Sequence, residues 1–224
     1  MKRIVVSSIV ALITVATGFA RHHHSHSGGG NGGNQPKGRA GEFDYYVLSL
    51  SWSPEFCSNH HDPEQCQGTR KYTFVVHGLW PQYQKGWPQF CQPSSPVPAD
   101  LAGSMLDLMP NRQLIQHEWD KHGTCSGLNQ KGYFDLIRQV REGINIPKDY
   151  AQPLKQVTQT PSQIKQHFEA ANAGFGKDSI RLACSGRFLS EVDMCLGKDL
   201  KSRACAPDVR DKCSASKVIL RPVR

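Results

Sequence analysis

Apolar and polar positions alternate in Tyr45–Trp52 (YYVLSLSW), Lys71–His77 (KYTFVVH), Ile180–Ala183, Phe188–Met194 and Lys217–Leu220, and each segment reads as a strand. A helical period runs instead through Ala99–Leu108, Gln113–His122, Tyr133–Ile144 and Ser162–Ala171. The last of these opens on Thr160-Pro161-Ser162, a capping signature, and sets Ile164 and Phe168 on one face at i, i+4. Strands and helices are mixed without a regular βαβ alternation. The pattern therefore predicts an α+β fold, a central antiparallel sheet packed with several helices.

The N-terminal segment reads differently. Lys2 and Arg3 precede an apolar run from Ile4 to Ala16, and Gly18-Phe19-Ala20 supplies small residues for a signal-peptidase site. That run is thirteen residues long. A membrane span needs roughly 20, so residues 1–20 are expected to be a cleaved signal peptide with no membrane attachment afterwards. Residues 21–42 contain no Val, Ile, Leu, Met or aromatic residue and are expected to be a flexible linker. Its His22, His23, His24 and His26 have the chemistry to bind a transition metal, but a solvated tail is the simpler reading. From residue 43 to 224 the hydrophobic density is that of one domain, without internal repeats.

Charge and cysteine content narrow the class. The 224-residue chain carries 27 Lys+Arg against 19 Asp+Glu, a net charge of +8, and loss of residues 1–20 would remove only Lys2 and Arg3, leaving +6. A persistent positive excess favours a polyanionic partner. Eight cysteines, an even number in an exported chain, point to four disulfides and a secreted or periplasmic location. Spacing alone leaves their pairing open.

Two histidine segments carry the candidate chemistry. In FVVHGLWP at 74–81, His77 is expected at the end of a buried strand, where rigid scaffold meets solvent. In HEWDKHGTC at 117–125, an ideal helix with His117 at zero puts Lys121 near about 40°, Glu118 near about 100° and His122 near about 140°. Four ionisable groups thus share one half of the helix, each able to perturb the others. The five-residue offset between the two histidines is not the H-E-x-x-H spacing of a zinc helix, so shared metal ligation is not expected. Two separated imidazoles beside a lysine and a glutamate suit RNA cleavage by its own 2′-hydroxyl. That reaction needs a base, an acid for the departing 5′-oxygen and positive charge for the transition state. Imidazoles titrate in the right range for both proton transfers, and Trp80 offers a face for base stacking.

The segments HGLWP at 77–81 and HEWDKHGTC at 117–125 resemble the two active-site segments of the ribonuclease T2 family of secreted RNA-cleaving enzymes. The likeness extends to YYVLSLSWSPEFC at 45–57 and from Ser162 through FLSEVDMCLGKDL at 188–200 to Cys213. It implies an endoribonuclease acting on RNA through 2′,3′-cyclic phosphates and then 3′-phosphates, without metal or organic cofactor; a single-stranded substrate and a monomeric protein are expected. DNA, which lacks the 2′-hydroxyl, would be spared. By the same resemblance His77 is the general acid, His122 the general base and His117 the phosphate-positioning histidine, while Glu118 and Lys121 stabilise the transition state. Trp80 and Tyr83 are implied base contacts. Gln82 stands where many members carry Asp or Asn, so low base specificity is expected. The implied disulfides are Cys57–Cys66, Cys91–Cys125, Cys184–Cys213 and Cys195–Cys205. The alternative is a catalytically silent RNA-binding member of the same fold; it would be marked by loss of His77, Lys121 or His122, and all three are present.

Overall fold

A computed structural model of the protein describes residues 36–223; the expected signal peptide at 1–20 and residues 21–35 of the expected linker lie outside the described residues. In chain order the elements are β1 (Tyr45–Trp52), α1 (Ser53–Asn59), β2 (Phe74–Gln82), α2 (Ala99–Met105), α3 (Arg112–Lys121), α4 (Gln130–Glu142), α5 (Lys148–Ala151), β3 (Val157–Gln159), α6 (Pro161–Ala171), β4 (Ile180–Ser185), β5 (Phe188–Gly197) and β6 (Val218–Leu220). The strands form one sheet in the order β2-β1-β5-β6-β3, with β4 also paired to β5. All of these pairings are antiparallel except the short β5–β6 contact at Phe188 and Ile219. The α+β architecture with a central antiparallel sheet is therefore present. No helix among the described residues is long and apolar enough to cross a membrane.

The strand period of two divides this sheet into an apolar face and a working face. Tyr46, Leu48, Leu50 and Trp52 of β1 join Val192, Met194 and Leu196 of β5 in the main core, against Phe134, Ile137 and Val140 of α4 and Ile164 and Phe168 of α6. The intervening positions face the other way: Ser49 and Ser51 of β1 lie opposite Asp193 and Glu191 of β5. Sequence-encoded caps start the helices that cover the core. Asn111 accepts from the Leu114 N–H, Asn129 from the Gly132 N–H, and Thr160 with Gln163 closes a capping box on α6.

Several boundaries shift by a few residues from the sequence reading, α4 to Gln130–Glu142 and β5 to Phe188–Gly197 among them, and two departures bear on the site. Strand β2 does not end at His77 but continues to Gln82. Its alternation is interrupted by a bulge: Ser49 pairs with Gly78 and Leu50 with Val76, leaving His77 as the extra residue. Gly78 and Pro81 look like strand breakers, yet β2 is the sheet's edge strand, where proline is tolerated. At the other end of the domain boundary, the final residues of the expected linker lie against the domain: Lys37 bridges to Gln89 and the Gly41 N–H donates to the Cys125 carbonyl.

Four disulfides fasten the connections, Cys57–Cys66, Cys91–Cys125, Cys184–Cys213 and Cys195–Cys205, the pairs the family resemblance implies. Cys91–Cys125 joins the segment after β2 to the 3-10 turn Gly123–Cys125 that follows α3. Two further bridges hold both ends of the 205–213 segment, to β5 through Cys195 and to β4 through Cys184.

Candidate active site

The bulge in β2 is the first positioning device. An extra residue in one strand bends it locally and re-aims its side chain, and here that residue is His77. Its Nδ1 lies 2.6 Å from Glu191 Oε1, and its Nε2 is 3.9 Å from Glu118 Oε1. Ser51 Oγ donates to the same Glu191 oxygen at 3.1 Å. Three neighbouring strands, β2, β1 and β5, thus converge on one imidazole.

Helix α3 supplies the second set. It buries Ile115, Glu118 and Trp119, so the polar arc anticipated from the sequence contains a carboxyl group that is inside the protein. Glu118 is only 1% exposed, and its Oε2 accepts the Trp80 indole N–H at 2.7 Å. The approach requires glycine at 78, because a Cβ there would lie 2.0 Å from Glu118 Oε2 and 2.3 Å from Trp80 Nε1. Gly78→Ala is accordingly expected to force the indole and carboxylate apart, costing about 1–3 kcal/mol of stability together with most of the activity. Denaturant unfolding and RNA cleavage assays check it; an unaltered variant would refute the close approach.

Trp80 stands between the two catalytic candidates. Its ring centroid is 5.2 Å from that of His77 and 5.4 Å from that of His122. His122 caps α3 at the C-terminal end, is buried, and has its Nδ1 without a hydrogen-bond partner among the described residues. Two cavities open on either side. One, of about 630 Å³, is lined by His77, His117, Glu191, Ser51 and Leu114 among others; the second, of about 160 Å³, is lined by Trp80, Gln82, Lys121 and His122. The arc drawn from the helical period is therefore divided, with His117 and His122 opening to different sides of buried Glu118.

The two imidazoles are electrostatic opposites. Burial would lower the His77 pKa, but the Glu191 hydrogen bond and the charges of Glu118, Glu191 and Asp193 outweigh it, and the net shift is upward. Burial, then the positive charges of Lys121, His117 and His77, push His122 well below the ordinary histidine value. His117 is also lowered, by burial first and then by Lys121 and His77. Burial raises the Glu118 carboxyl to about 7, even though the His77 charge and the Trp80 N–H pull it down. His77 is thus disposed to hold its proton to higher pH than an ordinary histidine, and His122 to be the proton acceptor of the two.

Most of the residues singled out in the sequence come together: His77, Trp80, Gln82, His117, Glu118, Lys121 and His122 all line or border these cavities. Tyr83 does not line them; it packs against the core, its hydroxyl so close to Gly38 that a Cβ there would lie 2.4 Å away. The second aromatic at the smaller cavity is Trp87, 45% exposed. Sequence reading also passed over Glu191, Asp193, Asp208, Arg210 and Lys212. The last three arrive on the segment stapled at Cys205 and Cys213, a signal available only once the disulfides are paired.

Comparison with known proteins follows the same lines. The model of the Ribonuclease T2 family matches residues 43–205. A ribonuclease of Aeromonas hydrophila is 38% identical over 198 residues, 85% of this chain and 91% of that protein. Among solved structures, a ribonuclease-related protein from Calystegia sepium superposes with a TM-score of 0.66 at 23% identity, covering 81% of this chain and 98% of that one. A variant of ribonuclease MC1 in complex with 5′-UMP gives a TM-score of 0.62 at 28% identity, over 79% of this chain and 98% of that one; ribonuclease MC1 comes from the seeds of bitter gourd.

Proposed function

The chain belongs to the ribonuclease T2 family as an endoribonuclease acting on RNA, and from that premise we propose a metal-independent transesterification of single-stranded RNA carried by His77 and His122. The observation that supports this most is the contrast between the two imidazoles flanking Trp80, one against carboxylates and the other desolvated beside cations.

With a scissile phosphate between them, neutral His122 takes the proton of the 2′-hydroxyl as the 2′-oxygen attacks phosphorus. His77 donates its Nε2 proton to the 5′-oxygen as the P–O5′ bond breaks. The products are a 2′,3′-cyclic phosphate and a free 5′-hydroxyl, and the two histidines exchange roles when water opens the ring to a 3′-phosphate. His117 orients the phosphate. Lys121 and Glu118 stabilise the charge that builds on the phosphoryl oxygens, Glu118 by donating a hydrogen bond in its protonated form, which its raised pKa makes accessible.

Bases flanking the phosphate would occupy the two cavities, with Trp80 and the exposed Trp87 as stacking faces and Gln82 as the polar contact at the smaller one. Stacking tolerates every base, so low base specificity is proposed. The positive balance of the chain steers a polyanion and makes binding weaken with salt. Four disulfides fit an oxidising compartment, in line with a protein exported by a cleaved signal peptide and working as a monomer in the periplasm or outside the cell.

The test is incubation of the purified protein with RNA and with DNA of the same sequence in excess EDTA. RNA is expected to be cut at an undiminished rate and DNA left whole. Cleavage abolished by the chelator, or DNA cut as fast as RNA, would refute the mechanism.

A further inference from the structure

Glu191 lies outside both histidine segments, 114 residues from His77 along the chain, yet makes the closest polar contact to that ring. It sits on β5 directly across from Ser51 on β1, the strand that pairs with the bulge of β2. Its Oε1 meets two groups, His77 Nδ1 at 2.6 Å and the Ser51 hydroxyl at 3.1 Å. A carboxylate oxygen held by two donors on a rigid sheet has a fixed place, and so has the ring bonded to it.

We propose that Glu191, anchored by Ser51, is the positioning residue of His77: it accepts the Nδ1–H, turns Nε2 toward the scissile phosphate and holds the ring in its protonated form. This deepens the acid role given to His77 above and rests on that reading. In balance, His77 gives its Nε2 proton to the departing 5′-oxygen and retains the Nδ1 proton, still shared with Glu191. The neutral ring left behind is then the tautomer whose free Nε2 can accept a proton from water in the second step.

Other groups face the same ring, and none takes this place. Glu118 of α3 lies toward Nε2, at 3.9 Å, and is engaged by Trp80. Asp193 of β5 acts on His77 only through its charge, as His117 and His122 do from the α3 side; Lys212 of the 205–213 segment bears on Glu191 and Asp193. Burial raises Glu118 to about 7 and Asp193 to about 6. Burial would raise Glu191 as well, but its bond to His77 and the Ser51 hydroxyl bring it below the ordinary value. In mildly acidic solution Glu191 is therefore the carboxyl that remains charged beside the imidazole.

The experiment compares the full chain with Glu191→Gln, Glu191→Asp, Ser51→Ala and His77→Ala. It measures kcat and KM on a dinucleotide substrate across pH, and the titration of the His77 imidazole by NMR. A general acid loses activity as pH rises through its pKa, so His77 governs the alkaline limb. In Glu191→Gln that limb and the imidazole titration are expected to move to lower pH by about one unit. At neutral pH kcat should fall at least about 10-fold, with KM within about twofold. Glu191→Asp, which keeps the charge, should return the limb toward its original position. Ser51→Ala, which keeps the carboxylate but frees it, should lower kcat by less than Glu191→Gln and gives a reading even if the glutamine variant does not fold. An unmoved limb and titration in Glu191→Gln, or an undiminished kcat in Ser51→Ala, overturns the proposal while an inactive His77→Ala leaves the acid role standing. Full activity in His77→Ala would overturn the acid role itself.

Discussion

His122→Ala is expected to slow RNA transesterification by about 10² to 10⁴-fold, the usual worth of a positioned acid or base, with little change in KM. The loss should fall on the chemical step because His122 sits in a cavity wall beside Trp80 and its role begins only when a 2′-hydroxyl is within reach. The fold should survive. The His122 Nδ1 has no partner among the described residues, so removing the ring orphans no hydrogen bond there, and the backbone N–H that caps α3 by donating to the Glu118 carbonyl is untouched. The stability change is therefore expected to stay within about 1–2 kcal/mol. Single-turnover cleavage and thermal unfolding on the same preparation separate the two effects. A near-normal rate would remove His122 from the mechanism.

The second large effect is structural. Cys91→Ala combined with Cys125→Ala opens a loop whose ends are 34 residues apart in sequence, and chain entropy puts the cost at about 3–4 kcal/mol. The corresponding change at Cys57–Cys66, separated by 9 residues, should cost about 1 kcal/mol less. More than entropy is at stake at Cys91–Cys125. The bridge fastens the segment that carries Trp87 to the turn after His122, next to the hydrogen bond from the Phe90 N–H to the Lys121 carbonyl. Activity should thus be lost at a lower denaturant concentration than global structure, because the site opens before the core does. Equilibrium unfolding followed by fluorescence and by residual cleavage checks both halves. A loss below about 1 kcal/mol would contradict the role assigned to this bridge.

How much of this was legible in the sequence depends on the range of the interaction. The β1 strand and the capped α6 helix are written in local period and cap residues, and both occur at or within one residue of the predicted bounds. The His117–His122 arc was also local, but the fold divides it: His117 lines the larger cavity, Lys121 and His122 line the smaller one, and Glu118 is buried against Trp80. The bulge at His77 was not legible, because it is a property of the pairing between β1 and β2 rather than of either strand. Short elements such as α1, α5 and β3 have too few turns or residues to present a period. Glu191 was hidden for the same reason as the bulge: its partner is brought to it by sheet topology, across β1. Glu118 was seen as a member of the polar arc, yet its burial against Trp80 depends on the bare backbone at Gly78, and no helical wheel contains that.

The proposed reaction needs only two imidazoles and the RNA's own 2′-hydroxyl. The most direct test is the phosphorus NMR spectrum of an RNA digest made in excess EDTA, recorded as the reaction proceeds. A 2′,3′-cyclic phosphate signal is expected first, followed by a 3′-phosphate, with neither changed by the chelator. A spectrum with 5′-phosphate ends, or with no cyclic intermediate and no reaction until metal is restored, would contradict the proposed reaction.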